Sequence, residues 1–239
     1  MLQYRPSRTI ASDRDVGIIS ESSNQPLMRT YVSPLGYDST RVTRPLLRYG
    51  VEPDDTIVVL RPKDESDDTR ADRAVRDVQN MLEQIEPTVS VTVQPIPFTD
   101  LRAAIRACLD VFAAARGDLL VNFGGGARDV FLPFAIAATT VTDEITAAFQ
   151  YSDIDGSVRE LALPSLLVTV PAAAQPTLQL VSDADGETTL PDLTAASEHS
   201  KSTVTRHLQA LASGGLVTTE RHGKVKYVSL TLTGELYCH

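Results

Sequence analysis

The spacing of apolar residues between residues 28 and 171 predicts strands and helices in alternation. Apolar runs of strand length lie at residues 27–32, 56–60, 89–94, 119–123 and 144–151. Amphipathic stretches lie between them, at residues 40–49, 69–85, 100–115 and 128–140. In the second stretch the apolar residues are spaced three and four apart, as on one face of a helix. Strands that alternate with helices form parallel sheets through right-handed crossovers, so the pattern predicts an α/β Rossmann-like N-terminal domain.

Further patterns divide the rest of the chain. Short apolar runs at residues 157–163 and 166–170 predict added strands at a sheet edge, and the alanines between Pro171 and Pro176 indicate a domain boundary. Residues 1–26 are polar and show neither helical nor strand periodicity, which predicts a flexible leader. Met28 is an alternative start of translation. The predicted organisation is a leader at 1–26, a sensor domain at 27–171, a linker at 172–176 and a C-terminal domain at 177–239.

The C-terminal pattern predicts an α+β winged helix-turn-helix. Predicted helices cover residues 177–183, 192–196 and 201–212, and predicted strands cover residues 188–190, 216–221 and 225–230. Ser200 is expected to cap the third helix, and Gly214 follows its end. Val204, Leu208 and Leu211 recur at helical spacing and form its predicted buried stripe.

Charge sharpens the functional meaning of this domain. The whole chain has a formal net charge of -9, yet residues 200–230 carry five basic residues against one acid, Glu220. A basic surface beside a recognition helix predicts binding to double-stranded DNA, with the helix in the major groove and the wing on the phosphates. The residues predicted to contact DNA are Ser200, Lys201, Ser202, Thr203, Thr205, Arg206 and Gln209 in the helix and Arg221, His222, Lys224 and Lys226 in the wing. A winged helix that contacts only proteins is the alternative.

Two loops of the N-terminal domain have the composition of a ligand site. SPLGYDSTR, residues 33–41, follows the first strand, and NFGGGARDV, residues 122–130, follows the fourth. Glycines between a strand and a helix let a backbone approach a ligand closely, and free N–H groups at a helix start suit phosphates. If the strand order is 3-2-1-4-5, both loops flank one crevice. Residues 124–129 match neither a dinucleotide fingerprint nor a P-loop, and a tight turn without a ligand is the alternative.

These segments carry a family resemblance. RTYVSPLGYDSTRVTRPLL and LLVNFGGGARDVFLPFAIAA resemble the two motif regions of the CARF-domain transcription regulators found beside archaeal CRISPR loci. SKSTVTRHLQALASGGLV resembles the recognition helix and following strand of many winged-helix regulators. The resemblance implies a homodimer that binds a cyclic oligoadenylate, usually the tetra-adenylate, as an effector and requires no cofactor. Carried onto this sequence, the ligand-binding residues are Ser33, Gly36, Asp38, Ser39 and Thr40 on one side and Asn122, Gly124, Gly125, Gly126 and Arg128 on the other.

The leading hypothesis is therefore a ligand-gated regulator of CRISPR-associated genes. One alternative is a ring nuclease that cleaves the cyclic ligand. Residues 1–198 contain no histidine, so such a site would lack the commonest general acid or base. Another alternative is a regulator of the same build that senses a different phosphorylated metabolite.

The remaining expectations concern the environment of the protein. The acidic chain has four lysines, a composition that suggests a halophilic archaeon. Cys108 and Cys238 lack metal-ligand spacing, which predicts free thiols in a cytoplasmic protein without a metal site. No segment approaches the roughly 20 apolar residues of a membrane span, so no membrane partner is expected.

Overall fold

The computed structural model describes residues 28–63, 69–184 and 186–239, and the predicted leader lies outside these residues. The elements of the first part of the chain are β1 Arg29–Pro34, α1 Thr40–Tyr49, β2 Thr56–Pro62, α2 Thr69–Ile85, β3 Ser90–Ile96, α3 Leu101–Ala113, β4 Asp118–Asn122, α4 Arg128–Thr140, β5 Ile145–Tyr151 and β6 Val158–Glu160. Those of the second part are α5 Gln175–Ser182, β7 Glu187–Thr189, α6 Leu190–Ala196, α7 Lys201–Ser213, β8 Val217–His222, β9 Val225–Leu230 and α8 Leu232–Cys238. Short 3₁₀ turns occupy Thr142–Glu144 and Ala172–Ala174.

The first part forms a sheet in the order β3-β2-β1-β4-β5-β6. Strands β1 to β5 pair in parallel, and β6 pairs antiparallel with β5. This confirms the predicted Rossmann-like class and the expected order of the first five strands. Because the chain order reverses between β1 and β4, the carboxyl ends of these neighbouring strands open onto one crevice.

Helices cover both faces of this sheet, which explains why its central strands are continuously apolar. On one face, α3 and α4 bury a cluster that includes Val32, Val121 and Phe134. On the other face, α1 and α2 bury a cluster that includes Tyr31 and Phe149. The loops at the strand ends are thus held on a rigid scaffold.

The prediction of a strand at residues 166–170 is wrong. The segment is irregular, and the Leu166 N–H donates to the carbonyl of Thr139 at 3.2 Å, at the end of α4. Val168 and Val170 pack against the core of the C-terminal domain. The two valines of this run therefore contact the second domain, whereas Leu166 and Leu167 are exposed, and the run pairs with no strand.

The C-terminal part is a helix-turn-helix with a small antiparallel sheet, which confirms the predicted class, and the strand order of this sheet is β7-β9-β8. The Ser200 side chain caps α7 by accepting from the Thr203 N–H, and Val204, Leu208 and Leu211 are fully buried. Among the described residues, no helix is long and apolar enough to cross a bilayer.

Helix α8 was not expected from the sequence. Gly234 lies in this helix and packs against Leu216, the residue before β8. A Cβ on Gly234 would lie 2.1 Å from the Leu216 carbonyl oxygen. Leu232 and Leu236 are half exposed, so the short helix lacks the apolar periodicity that would predict it.

Candidate functional site

The two predicted loops meet at the carboxyl ends of β1 and β4. The Asn122 side-chain amide donates to Ser33 Oγ at 2.9 Å and to the Arg41 carbonyl at 3.0 Å. Ser33 and Asn122 are both buried. These two predicted ligand residues therefore join the loops from beneath and do not line an open surface.

The glycines of residues 124–126 are required by the packing of one loop on the other. A Cβ on Gly124 would lie 2.3 Å from the Arg41 carbonyl oxygen, and one on Gly125 would lie 2.7 Å from Arg41 Cδ. Gly126 has a φ of 103° and would bring a Cβ to 2.6 Å from Pro34 Cβ. The close approach expected towards a ligand is thus made, in the first place, towards the neighbouring loop.

A cavity of about 210 Å³ lies between the loops. Of the predicted ligand residues, Gly36, Asp38 and Gly126 line this cavity. Ser39 and Thr40 are half-buried at the start of α1, and Arg128 is exposed at the start of α4, outside the lining. The ligand-binding role of all ten residues stays a prediction. The lining also includes residues that sequence reasoning missed: Pro34, Leu35, Tyr37, Arg41, Pro62 and Ala127.

Arg41 is the basic residue of this lining. Its guanidinium lies 3.6 Å from Asp38 Oδ2 and 3.1 Å from Asp153 Oδ1. Burial acts to raise the pKa of Asp38, but hydrogen bonds from Thr40 and the charge of Arg41 outweigh burial and hold this pKa below its ordinary value. Asp38 is therefore a charged partner that helps to orient Arg41 in the crevice.

The second candidate surface is the exposed face of α7. Lys201, Ser202, Arg206 and Gln209 are exposed on this helix, as a major-groove contact requires. The hydroxyls of the other predicted residues have local partners. Ser200 Oγ lies within hydrogen-bond distance of the Ser202 and Thr203 hydroxyls, and Thr205 Oγ1 donates to the Lys201 carbonyl at 2.8 Å.

The β8–β9 hairpin forms the wing. Arg221 stands directly opposite Lys226, and Lys226 shares a strand face with Val228, which is buried in the domain core. The pair therefore continues the face that packs towards α7. Like charges directly opposite each other destabilise a hairpin, so a bound anion such as a phosphate would reduce the repulsion between Arg221 and Lys226.

His222 has a different environment from the other wing residues. Its ring contacts the Tyr227 ring at 5.3 Å, and its Nε2 lies 3.5 Å from Glu220 Oε2. Because side chains alternate across a strand, His222 lies on the opposite face of the wing from Arg221. Its predicted DNA contact stays a prediction, on a face that carries an acid.

His207 is a buried polar residue of α7 that sequence reasoning missed. Its Nδ1 lies 2.8 Å from Thr177 Oγ1 of α5, and its ring is 5.3 Å from the His199 ring. The pKa of His207 is lowered by burial and then by the charges of His199 and Arg206. The folded domain therefore favours the neutral form of the His207 ring.

Acid should consequently weaken the winged helix. A histidine whose folded-state pKa lies below its ordinary value of 6.5 takes up a proton more readily when unfolded, so the contribution of His207 is complete above pH 6.5 and decreases as the pH falls towards its lowered pKa. Thermal unfolding between pH 5 and 8 (roughly the range in which histidine titrates) measures this effect. The variant His207→Gln should show a flatter profile than the wild type. Equal slopes in wild type and His207→Gln would contradict the assignment.

Comparisons with known proteins match both parts of the chain. A family model described as the Csa3 CRISPR-associated Rossmann-like domain matches residues 29–159, and a model of the IclR helix-turn-helix domain matches residues 178–221. No curated protein matches the chain.

Several solved structures are similar to parts of the chain. A "Possible transcriptional regulator for arsenical resistance" is 32% identical over 30% of this chain and 78% of its own, with a TM-score of 0.26. Protein VC1899 from Vibrio cholerae is 11% identical over 88% of this chain and 64% of its own, with a TM-score of 0.43. Enterococcus italicus Csm6 bound to cyclic hexa-2′-fluoro-hexa-dAMP is 11% identical over 78% of this chain and 49% of its own, with a TM-score of 0.43.

Proposed function

This chain belongs to the Csa3 family of CRISPR-associated Rossmann-like domains, and we propose on that premise that it regulates the transcription of CRISPR-associated genes. The helix-turn-helix at residues 178–221 supports DNA binding as its means of action. In this proposal residues 27–171 form the sensor, residues 172–176 the linker and residues 177–239 the DNA-binding domain.

One observation carries the DNA-binding part of the proposal. Exposed Lys201 and Arg206 on α7 and the opposed Arg221 and Lys226 on the wing form a basic surface within an acidic chain. In this proposal the exposed Arg206 contacts a guanine edge in the major groove. The wing cations would hold the phosphates and set affinity more than sequence preference.

We further propose that the crevice between β1 and β4 binds a cyclic oligoadenylate, with the tetra-adenylate as first choice. The start of α4 supports an anionic ligand, because its capping residue Ala127 supplies no side-chain acceptor to the first N–H groups. The cavity of about 210 Å³ is smaller than the ~300–1,000 Å³ of ordinary ligand sites. A ring of four nucleotides would therefore need more room than one crevice offers, and in this proposal a homodimer with the ligand on its axis provides a second crevice.

The sensor and the winged helix are connected through α4. This helix begins at the crevice with Arg128, and near its other end the Thr139 carbonyl accepts from the Leu166 N–H. The adjacent Ser165 N–H donates to Thr233 Oγ1 of α8 at 3.0 Å. A ligand that shifts α4 would thereby move the winged helix, and coupling of this kind is typically ~1–3 kcal/mol and reciprocal.

Calorimetric titration tests this function. Cyclic tri-, tetra- and hexa-adenylate should be titrated into the full chain, with and without a DNA duplex enriched from a random pool by the wild-type protein. We expect the tetra-adenylate to bind, with an affinity that the duplex changes. Absence of binding by all three rings would contradict the proposed ligand. Identical ligand affinity with and without DNA would contradict the proposed coupling.

A variant at the domain joint separates coupling from binding. Thr233→Val leaves the Ser165 N–H without its acceptor and should reduce the effect of DNA on ligand affinity, while the affinity without DNA stays the same. Thr146→Val removes a hydroxyl that donates to Asp118 on the sheet and serves as the matched control.

A further inference from the structure

Arg41 lines the crevice from the last position of the first loop segment, residues 33–41, where α1 begins. Its carbonyl lies against Gly124, and its side chain lies along Gly125, where a Cβ would be 3.3 Å from the Arg41 NH1 atom. The Arg41 Nε atom is buried and has no hydrogen-bond partner. The glycines of the second loop thus make room for the Arg41 side chain, whose Nε faces Asp38 Oδ2 at 3.6 Å.

Asp153 reaches Arg41 from the turn between β5 and β6. The ion pair between the two side chains is partly exposed, with 36% of the Arg41 side chain and 60% of the Asp153 side chain accessible. Arg44 of α1 also holds this turn, because its NH1 donates to the Gly156 carbonyl at 3.2 Å. Ile154, beside Asp153, is 97% exposed. The turn therefore rests on α1 mainly through two arginine side chains.

We infer that Arg41 binds a phosphate group of the ligand and that Asp153 occupies this cation in the ligand-free state. A phosphodiester entering the crevice displaces the Asp153 carboxylate and releases the turn at residues 152–157 from the first turn of α1. This inference rests on the proposed function, because it takes the same crevice as the ligand site.

The relative strengths of the two contacts favour this exchange. A partly exposed ion pair contributes little, because water screens it and two side chains must be held in place. A phosphate can accept two charge-assisted hydrogen bonds from one guanidinium, whereas the Asp153 carboxylate approaches this guanidinium through a single atom pair, Oδ1 and Nη2. Asp38, in contact with the other side of Arg41, keeps the guanidinium in the crevice throughout the exchange.

Four variants test the inference by affinity. Arg41→Gln should weaken binding of cyclic tetra-adenylate and of inorganic pyrophosphate by about tenfold to a hundredfold, the range of a lost charged hydrogen bond. Asp153→Asn removes the competing carboxylate and should strengthen binding of both probes by about two- to fivefold. Arg48→Gln makes the same change as the first variant at an exposed position of α1 and should leave both affinities unchanged. Arg41→Lys, which keeps the charge, should restore part of the loss.

Amide hydrogen exchange supplies the readout that a merely structural role would not move. In the wild type, saturation with either probe should speed exchange in residues 152–157, and in Asp153→Asn this segment should exchange fast without any probe. Pyrophosphate binding that depends on Arg41, without binding of the ring, would support the inference and remove the cyclic ligand from the proposed function. Ring binding that is equal in all four variants and wild type would leave the proposed function and overturn the inference. Binding of neither probe would overturn both.

Discussion

Alanine in place of Gly124 should lower the free energy of unfolding by about 1–3 kcal/mol, the usual effect of forcing an extra methyl into a packed site. Its Cβ would lie 2.3 Å from the Arg41 carbonyl oxygen and 2.9 Å from Asn122 Nδ2, both parts of the joint between the loops. The first neighbour is a backbone atom, and the second is held by hydrogen bonds to Ser33 Oγ and the Arg41 carbonyl, so the two loops must separate to make room. Urea denaturation of the full chain measures this change.

Gly36 provides the matched control in the same crevice. A Cβ there would meet Gly126 Cα at 3.5 Å, an ordinary van der Waals distance. Gly36→Ala should therefore change the free energy of unfolding by less than about 0.5 kcal/mol, as is usual for a substitution that meets no clash. Similar effects of the two variants would show that loop-to-loop packing does not require glycine at position 124.

Loss of two cations from the DNA-binding surface should weaken binding of the enriched duplex at least tenfold. In the double variant Arg206→Ala, Lys224→Ala, the first change alone removes a base-edge contact that is typically worth ~1–3 kcal/mol. The second removes a wing phosphate contact, weakens binding to all sequences alike and should reduce the slope of log affinity against log salt by about one. Gel shifts at several fixed salt concentrations measure both effects.

The control for this experiment removes the same charge elsewhere. Arg102→Ala, Arg106→Ala deletes two exposed arginines of α3, on the sensor domain. If these variants weaken binding as much as the α7 and wing variants, net charge explains the result and the assigned surface is incorrect. Binding unchanged in Arg206→Ala, Lys224→Ala would exclude the same surface directly.

Periodicity alone was sufficient for most of the fold. The central strands β1 and β4 are buried on both faces, so their apolar runs were continuous, and the stripe of Val204, Leu208 and Leu211 followed helical spacing. The segment at residues 166–170 misled the prediction because its valines are partly buried against another domain and not in a sheet. Local spacing records that a residue is buried, but it does not record which surface covers it.

The sequence predicted the position of the crevice but not the contacts of the arginine that lines it. The glycine loops were recognisable from composition, whereas Arg41 resembled the other arginines of an amphipathic helix. Only the β1–β4 adjacency sets its side chain along Gly125, and Asp153 lies more than one hundred residues further along the chain. Contacts between residues so far apart leave no trace in the spacing of either segment.

The hydrogen bond from Asn122 to the Arg41 carbonyl is explained by Pro45, four residues after Arg41 in α1. Pro45 lies inside this helix and has no N–H, so the carbonyl of Arg41 has no acceptor role within its own helix ladder. A proline normally weakens a helix interior, and here the vacancy that it leaves is filled by a side chain from another strand. Pro45 thus leaves the Arg41 carbonyl available to Asn122 of β4. The missing hydrogen bond inside α1 is replaced by one that connects the two sides of the crevice.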